Sequence, residues 1–204
     1  NSTTDIRIDG MGMELNIDHS IDHGLYFFGQ SDIGYGPYMR LNNELTLSDN
    51  FTICFWIKEN HMRSNRILGG TNNSFIKTGI SNHIYYRANT DGSGFSTAYQ
   101  LTFNSTTDPS GLNYHTTQRW HHIVIRKKTG VLQYYYDGVL QSNTETVDQD
   151  FNLKYIGSHT TAYTGHGWID DILCYDQPLG NTDIQNIYNR GKAQHPQDES
   201  MDEV

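Results

Sequence analysis

The chain has 204 residues, enough for one domain or two small ones that bury about 70% of the unfolded surface. Hydrophobic residues are 35% and charged residues 18%, with 19 Gly and 14 Tyr. This mixture suits short strands joined by turns and excludes a helix bundle, which wants Ala, Leu, Glu and Lys. The net charge of −9, from 14 Lys and Arg against 23 Asp and Glu, argues against a nucleic-acid or anionic-membrane partner, since either needs a basic patch.

No apolar run approaches the ~18–20 residues that cross a bilayer, so membrane insertion is not expected. The chain opens with Asn1 and shows no signal peptide, so it reads as a processed or excised segment. Cys54 and Cys174 are too few for a disulfide framework or a zinc site. They are two buried free thiols or one bridge between neighbouring strands. Sequons at Asn1, Asn50, Asn72 and Asn104 point weakly to secretion in so Asn-, Ser- and Thr-rich a chain.

Residues 1–24 mix Asp, Gly and His with short apolar alternations and read as an N-terminal arm or strand. Leu25 through Phe28 is a short apolar run, and Tyr38 through Leu41 follows the turn at Gly34–Pro37. Phe51 through Lys58 alternates, with Phe51, Ile53, Phe55 and Ile57 on one face and Thr52, Cys54 and Trp56 on the other. Both faces are partly apolar, as in a central sandwich strand. Further runs occur at Arg66–Leu68, Phe75–Ile76, Ile84–Tyr86 and Tyr99–Phe103, separated by a Gly-rich loop at Asn89–Gly94. Residues 104–119 are polar and read as a long loop.

Trp120 through Arg126 is a strand, Lys127 through Gly130 a turn, and Val131 through Tyr136 the return strand. Asp137-Gly138 then reads as a tight hairpin into Val139-Leu140, because two consecutive residues must adopt positive φ. Leu153–Ile156 and Trp168–Tyr175 are the last strands. One helix is expected, with a Thr182/Gln185 capping box, an apolar face of Ile184, Ile187 and Tyr188, and a stop at Gly191. About twelve strands and one short C-terminal helix make an all-β, two-sheet antiparallel sandwich over residues 25–193, with an acidic tail or linker at 194–204.

Three blocks in order resemble the laminin-G-like jelly-roll branch of the concanavalin A-like lectin/glucanase superfamily. The first is Phe28 through Asp32, Pro37 through Leu41 and the Trp56 strand. The second is Trp120-His-His-Ile-Val-Ile with Tyr134-Tyr-Tyr-Asp-Gly-Val-Leu140. The third is Tyr155 through Gly157, Gly167 through Tyr175, Pro178-Leu179 and Ile184 through Tyr188. Together they span roughly residues 25–190 and imply a jelly roll.

The resemblance implies no catalysis here. Glucanases of this scaffold place two Glu and one Asp at alternate positions of one strand, so that one carboxylate attacks while another protonates the leaving oxygen. The six Glu (positions 14, 44, 59, 145, 199 and 203) are isolated or in the tail. Asp170-Asp171 cannot act as a pair, since adjacent strand residues point to opposite faces. His121-His122 opens a strand and reads as structural.

By the same resemblance, a structural calcium is expected at Asp32 and Asp170, both oxygen donors suited to that ion; the competing reading is a turn cap at Asp32 and backbone bonding by Asp170. Ligand contact is expected at the rim, from the loop Tyr163-Thr-Gly-His166-Gly-Trp168 and from Asp91 in the Asn89–Phe95 loop. Aromatic faces there would stack on pyranose rings while Asp and His bond hydroxyls. Trp168 adjoins a core strand, so burial competes with that reading. The expected function is a non-catalytic lectin-like module for a glycan or glycoprotein on a cell or virion surface, within an extracellular multidomain or virion assembly. The alternative is a structural or protein–protein domain of a virion or adhesin, and after it a glycan-cleaving enzyme.

Overall fold

A computed structural model of the chain describes residues 25–28, 38–59, 66–78, 83–88, 99–102, 120–160, 163–164 and 166–195. In chain order the strands are β1 (Leu25–Phe28), β2 (Met39–Leu47), β3 (Phe51–Glu59), β4 (Arg66–Gly69), β5 (Phe75–Thr78), β6 (His83–Arg87), β7 (Tyr99–Thr102) and β8 (His121–Lys128). They continue as β9 (Val131–Tyr136), β10 (Val139–Leu140), β11 (Glu145–Thr146), β12 (Phe151–Ile156), β13 (Ser158–Thr160), β14 (Tyr163–Thr164) and β15 (His166–Tyr175), followed by helix α1 (Asn181–Lys192). A seven-stranded sheet runs β1-β15-β3-β8-β9-β10, with β11 also on β9, and a six-stranded sheet runs β2-β12-β4-β5-β6-β7. All recorded pairings in both are antiparallel, as expected of a jelly roll.

The strand period of two builds the core. Phe51, Ile53, Phe55 and Ile57 of β3 pack against Ile123 and Ile125 of β8 and against Leu68, Ile76, Tyr86, Phe151 and Leu153 of the facing sheet. The other face of β3 is also apolar for a reason the sequence did not disclose: α1 lies across it. Cys54, Val124, Tyr135 and Ile184 form a second buried cluster there, flanked by Leu173, Tyr175, Leu179 and Ile187.

Two tight turns set the register of the seven-stranded sheet. Thr129-Gly130 and Asp137-Gly138 all have positive φ, at 51°, 76°, 49° and 77°. These are the left-handed pairs that join twisted hairpin strands, and Gly138 is where the expected Asp-Gly hairpin falls.

Several local expectations change. β2 extends to Leu47, because Leu45 and Leu47 continue pairing with Leu153 and Phe151. Tyr163-Thr164 is a short strand paired with β13, and His166 already belongs to β15, so the expected rim loop is largely sheet. The helix is capped earlier than the Thr182/Gln185 box implies: Gly180 is the N-cap, and its N–H donates to the Asp183 carboxylate at 3.3 Å. Gly191 does not stop the helix; it is buried within it, facing Trp56. Both cysteines are free thiols, Cys54 buried and Cys174 half-buried. The pleat forbids a bridge, since Cys54 pairs with Leu173 while Cys174 pairs with Ile53, which leaves the two sulfurs on opposite faces.

Candidate functional site

Both ends of α1 are fastened to the seven-stranded sheet by polar contacts. At the N-terminal end, Arg126 of β8 donates to the Leu179 carbonyl at 2.7 Å and to Asn181 Oδ1 at 3.0 Å, and the Tyr135 hydroxyl donates to the same Oδ1 at 2.7 Å. Thr52 closes the link by donating to the Gln177 carbonyl and accepting from the Leu179 N–H.

The C-terminal end of α1 sits on a cluster of aromatic and imidazole rings. Trp56, 1% exposed, stacks on His195 with centroids 4.5 Å apart and on Tyr188 at 5.8 Å, and lies 5.1 Å from His122. Trp120 meets His195 edge-on at 4.7 Å. His195 is 2% exposed and packed in place, although it falls in the stretch that reads as tail. Its Nδ1 lies 2.9 Å from the Gly191 carbonyl and its Nε2 lies 3.1 Å from Asp170 Oδ2. Two acceptors require two donors, which only the imidazolium supplies. Burial opposes that charge, but the Asp170 and Gly191 bonds and the charges of Asp170 and Asp171 outweigh it and raise the His195 pKa above 6.5.

His122 has the opposite chemistry. Its ring is 1% exposed, and neither nitrogen finds a hydrogen-bond partner among the described residues. Burial lowers its pKa from 6.5 to about 4, against the pull of Asp137 and with the help of His195. Its neighbour His121 pairs with Asp137 at 3.0 Å and stacks on Tyr136, while Asp137 Oδ1 accepts the His122 N–H. These contacts give both histidines packing roles.

Of the site residues read from sequence, Asp32 and Asp91 lie outside the described residues. Tyr163 and His166 are placed as backbone on β14 and β15. Trp168 is half-buried on the outer face of the seven-stranded sheet, registered between Tyr26 of β1 and Lys58 of β3. Its neighbours on β15 show why: Gly167 and Ile169 are buried toward the core, so Trp168 and Asp170 point away from it. Asp170 Oδ2 serves His195 and Oδ1 accepts the Asp171 N–H at 2.8 Å. Asp171 has φ 47° at the bulge between Asp170 and Leu173. No group of three or more His, Cys, Asp or Glu able to hold a metal occurs among the described residues, and Asp32, the expected partner of Asp170, lies outside them.

A laminin G family profile, described as the concanavalin A-like lectin/glucanases superfamily, matches residues 33–185. The chain belongs to this superfamily. No curated protein sequence matches it. Among solved structures it is similar to a native heptameric SAP-like pentraxin from Limulus polyphemus, at 13% identity and TM-score 0.56, covering 80% of each chain. It is also similar to the binding domain of botulinum neurotoxin serotype D, at 15% identity and TM-score 0.61, covering 91% of this chain and 46% of that one. A third likeness is to botulinum neurotoxin type C, whose cell entry depends on interaction with two ganglioside molecules; identity is 20%, TM-score 0.53 and coverage 81% and 42%. The chain thus spans 80% of the pentraxin but under half of the neurotoxin binding domain. These likenesses show the fold: a lectin-like jelly roll. Among the described residues no helix is long and apolar enough to cross a membrane.

Proposed function

We propose that the protein is a non-catalytic, extracellular recognition module that binds glycan or a glycosylated partner at a cell or virion surface. The observation that carries this reading is Trp168, a large aromatic held half-buried on the outer face of the rigid central sheet. Its lateral neighbours in register are Tyr26 and Lys58, and α1 ends nearby over Trp56. An indole fixed by strand pairing offers a flat face to a pyranose at little entropic cost. Tyr163 and His166 arrive on the same segment, and Asp91 completes the proposed contact set. The pentraxin and neurotoxin likenesses support the reading at the level of fold.

A glycan array tests it. Binding that falls at least tenfold in Trp168→Ala, with unchanged melting, is the expected result. No glycan bound by the wild-type chain would leave a structural or protein–protein domain as the better account, and release of reducing ends from polysaccharide would restore an enzyme. Structural calcium at Asp32 and Asp170 belongs to the same proposal. A cation present at a hundredfold its Kd adds about 2.7 kcal/mol, so an unchanged Tm in calcium and in EDTA removes it.

A further inference from the structure

Four sequons occur in the chain, and the proposed contact set uses none of them. Asn1 and Asn104 lie outside the described residues. Asn50-Phe-Thr52 and Asn72-Asn-Ser74 lie within them and begin in the β2–β3 and β4–β5 turns. The two asparagines differ in what the fold asks of them. Asn50 has a structural use, since its Oδ1 accepts the Thr129 N–H at 3.0 Å and ties two turns together. Asn72 has none: it is exposed and makes no hydrogen bond, ion pair or ring contact with a described residue.

The loop around Asn72 is firmly held. The Gly70 N–H donates to the Ser74 carbonyl at 2.9 Å, and Asn73 has φ 59°, the left-handed residue that completes a three-residue hairpin loop. Thr71 donates its N–H at 2.7 Å and its hydroxyl at 2.8 Å to the Glu44 carboxylate. The Ser74 hydroxyl is buried and accepts the Asn152 N–H at 3.2 Å. Asn152 pairs with Thr46 near the end of β2, so the loop sits at the end of the sandwich where β2 turns into β3. Trp168 registers with Lys58 at the other end of β3, roughly 23 Å from Phe51 along the strand.

We propose that Asn72 carries an N-linked glycan, added to the growing chain before it folds. The inference rests on the extracellular location read above, because this modification belongs to secreted chains, and it does not rest on Trp168. The transfer uses the Asn amide and the hydroxyl two residues on. The Asn72 Nδ2 attacks the anomeric carbon of an oligosaccharide carried on a lipid pyrophosphate. A C–N bond forms, the C–O bond to the pyrophosphate breaks, and the amide gives up one proton. Folding closes the opportunity, since the Ser74 hydroxyl is then sealed beneath Asn152, a residue made 78 positions later. Asn72 itself stays exposed in the finished fold, so a bulky polar glycan is carried there without moving a packed atom. It stands at the end of the sandwich remote from Trp168.

Secretion of the chain from cultured mammalian cells behind a cleaved leader, followed by peptide mapping by mass, tests the proposal. In most molecules the peptide bearing Asn72 carries a glycan, and its release by peptide N-glycosidase in oxygen-18 water leaves the label on that residue. Asn72→Gln loses this glycan, is secreted as well as the wild type, and melts with the glycosidase-treated wild type. The same chain folded in bacteria, then given purified oligosaccharyltransferase and its lipid-linked donor, stays unmodified at Asn72 because the Ser74 hydroxyl is out of reach. A chain secreted in folded form, by far-ultraviolet dichroism and melting, with Asn72 bare overturns the glycan site and leaves the extracellular reading standing. A chain retained in the cell with Asn72 bare overturns both. Transfer to Asn72 of the already folded chain overturns the order of modification and folding.

Discussion

Replacing Gly191 by Ala separates two physical effects of opposite sign. Helix propensity alone makes Ala better than Gly by about 0.8–1.0 kcal/mol at an interior position. The structure adds a collision. A Cβ at residue 191 would lie 2.4 Å from Trp56 Nε1, 2.8 Å from Cε2 and 3.0 Å from Cζ2, well inside the ~3.5–4.0 Å of normal contact. Trp56 has nowhere to retreat, because it is stacked between His195 and Tyr188 and is 1% exposed. Overpacking of a filled site costs about 1–3 kcal/mol, so the net expectation is destabilisation of about 1–2 kcal/mol. For a chain of this size that lowers Tm by a few degrees. Urea unfolding followed by tryptophan fluorescence and far-ultraviolet dichroism measures it. In Trp56→Phe the smaller ring makes room, and Gly191→Ala then stabilises, so the cycle is strongly non-additive. If Gly191→Ala is as stable as the wild type or more so, or if the two changes add, the close approach of α1 to β3 is wrong.

The two buried imidazoles predict a pH dependence. His122 has a folded pKa of about 4 against 6.5, so the unfolded chain binds the extra proton and stability falls as pH drops through that window, by about 3 kcal/mol at most. His195 has the reverse sign: its pKa is raised, so its contribution is fully present below 6.5 and is lost as pH rises through the folded value. His122→Phe therefore flattens the acid limb of urea-midpoint against pH while leaving the alkaline limb, and Asp170→Asn does the opposite; an unchanged acid limb in His122→Phe would refute the assignment. Burial pushes both thiols up to about 12, so Cys54 and Cys174 should resist iodoacetamide at pH 8 in the folded chain and react fully in urea, as read by intact mass. Rapid labelling of both in the native state would contradict their placement.

The architecture was legible because its markers are local. The Asp137-Gly138 turn, the alternation of Phe51 through Lys58 and the Trp120 strand each carry their own geometry, and their order along the chain identified the jelly roll. Features that depend on distant partners were not legible. Gly191 reads as a helix stop until Trp56, far away in sequence, is seen to need its missing Cβ. His195 reads as tail because its partner Asp170 lies 25 residues earlier. The apolar outer face of β3 suggested burial on both sides but not that a helix supplies the cover. A Gly and Asp pattern at a hairpin is a reliable guide; an Asp beside a strand, such as Asp170, is not, because the same carboxylate serves an ion, a backbone amide or a histidine equally well.

The seating of β15 between β1 and β3 governs how the molecule can be assembled. Leu25 pairs with Ile169, so this contact joins segments far apart in sequence and closes only after β15 has been made. Until then β3 lacks one neighbour along its length and exposes an edge lined with Phe, Ile and Trp. During ribosomal synthesis that edge stays bare while over a hundred later residues are added, and α1, which shields its outer side, emerges only after β15. Maturation is accordingly slow and dominated by long-range closure, and the nascent chain is most prone to self-association in the interval before β15 docks.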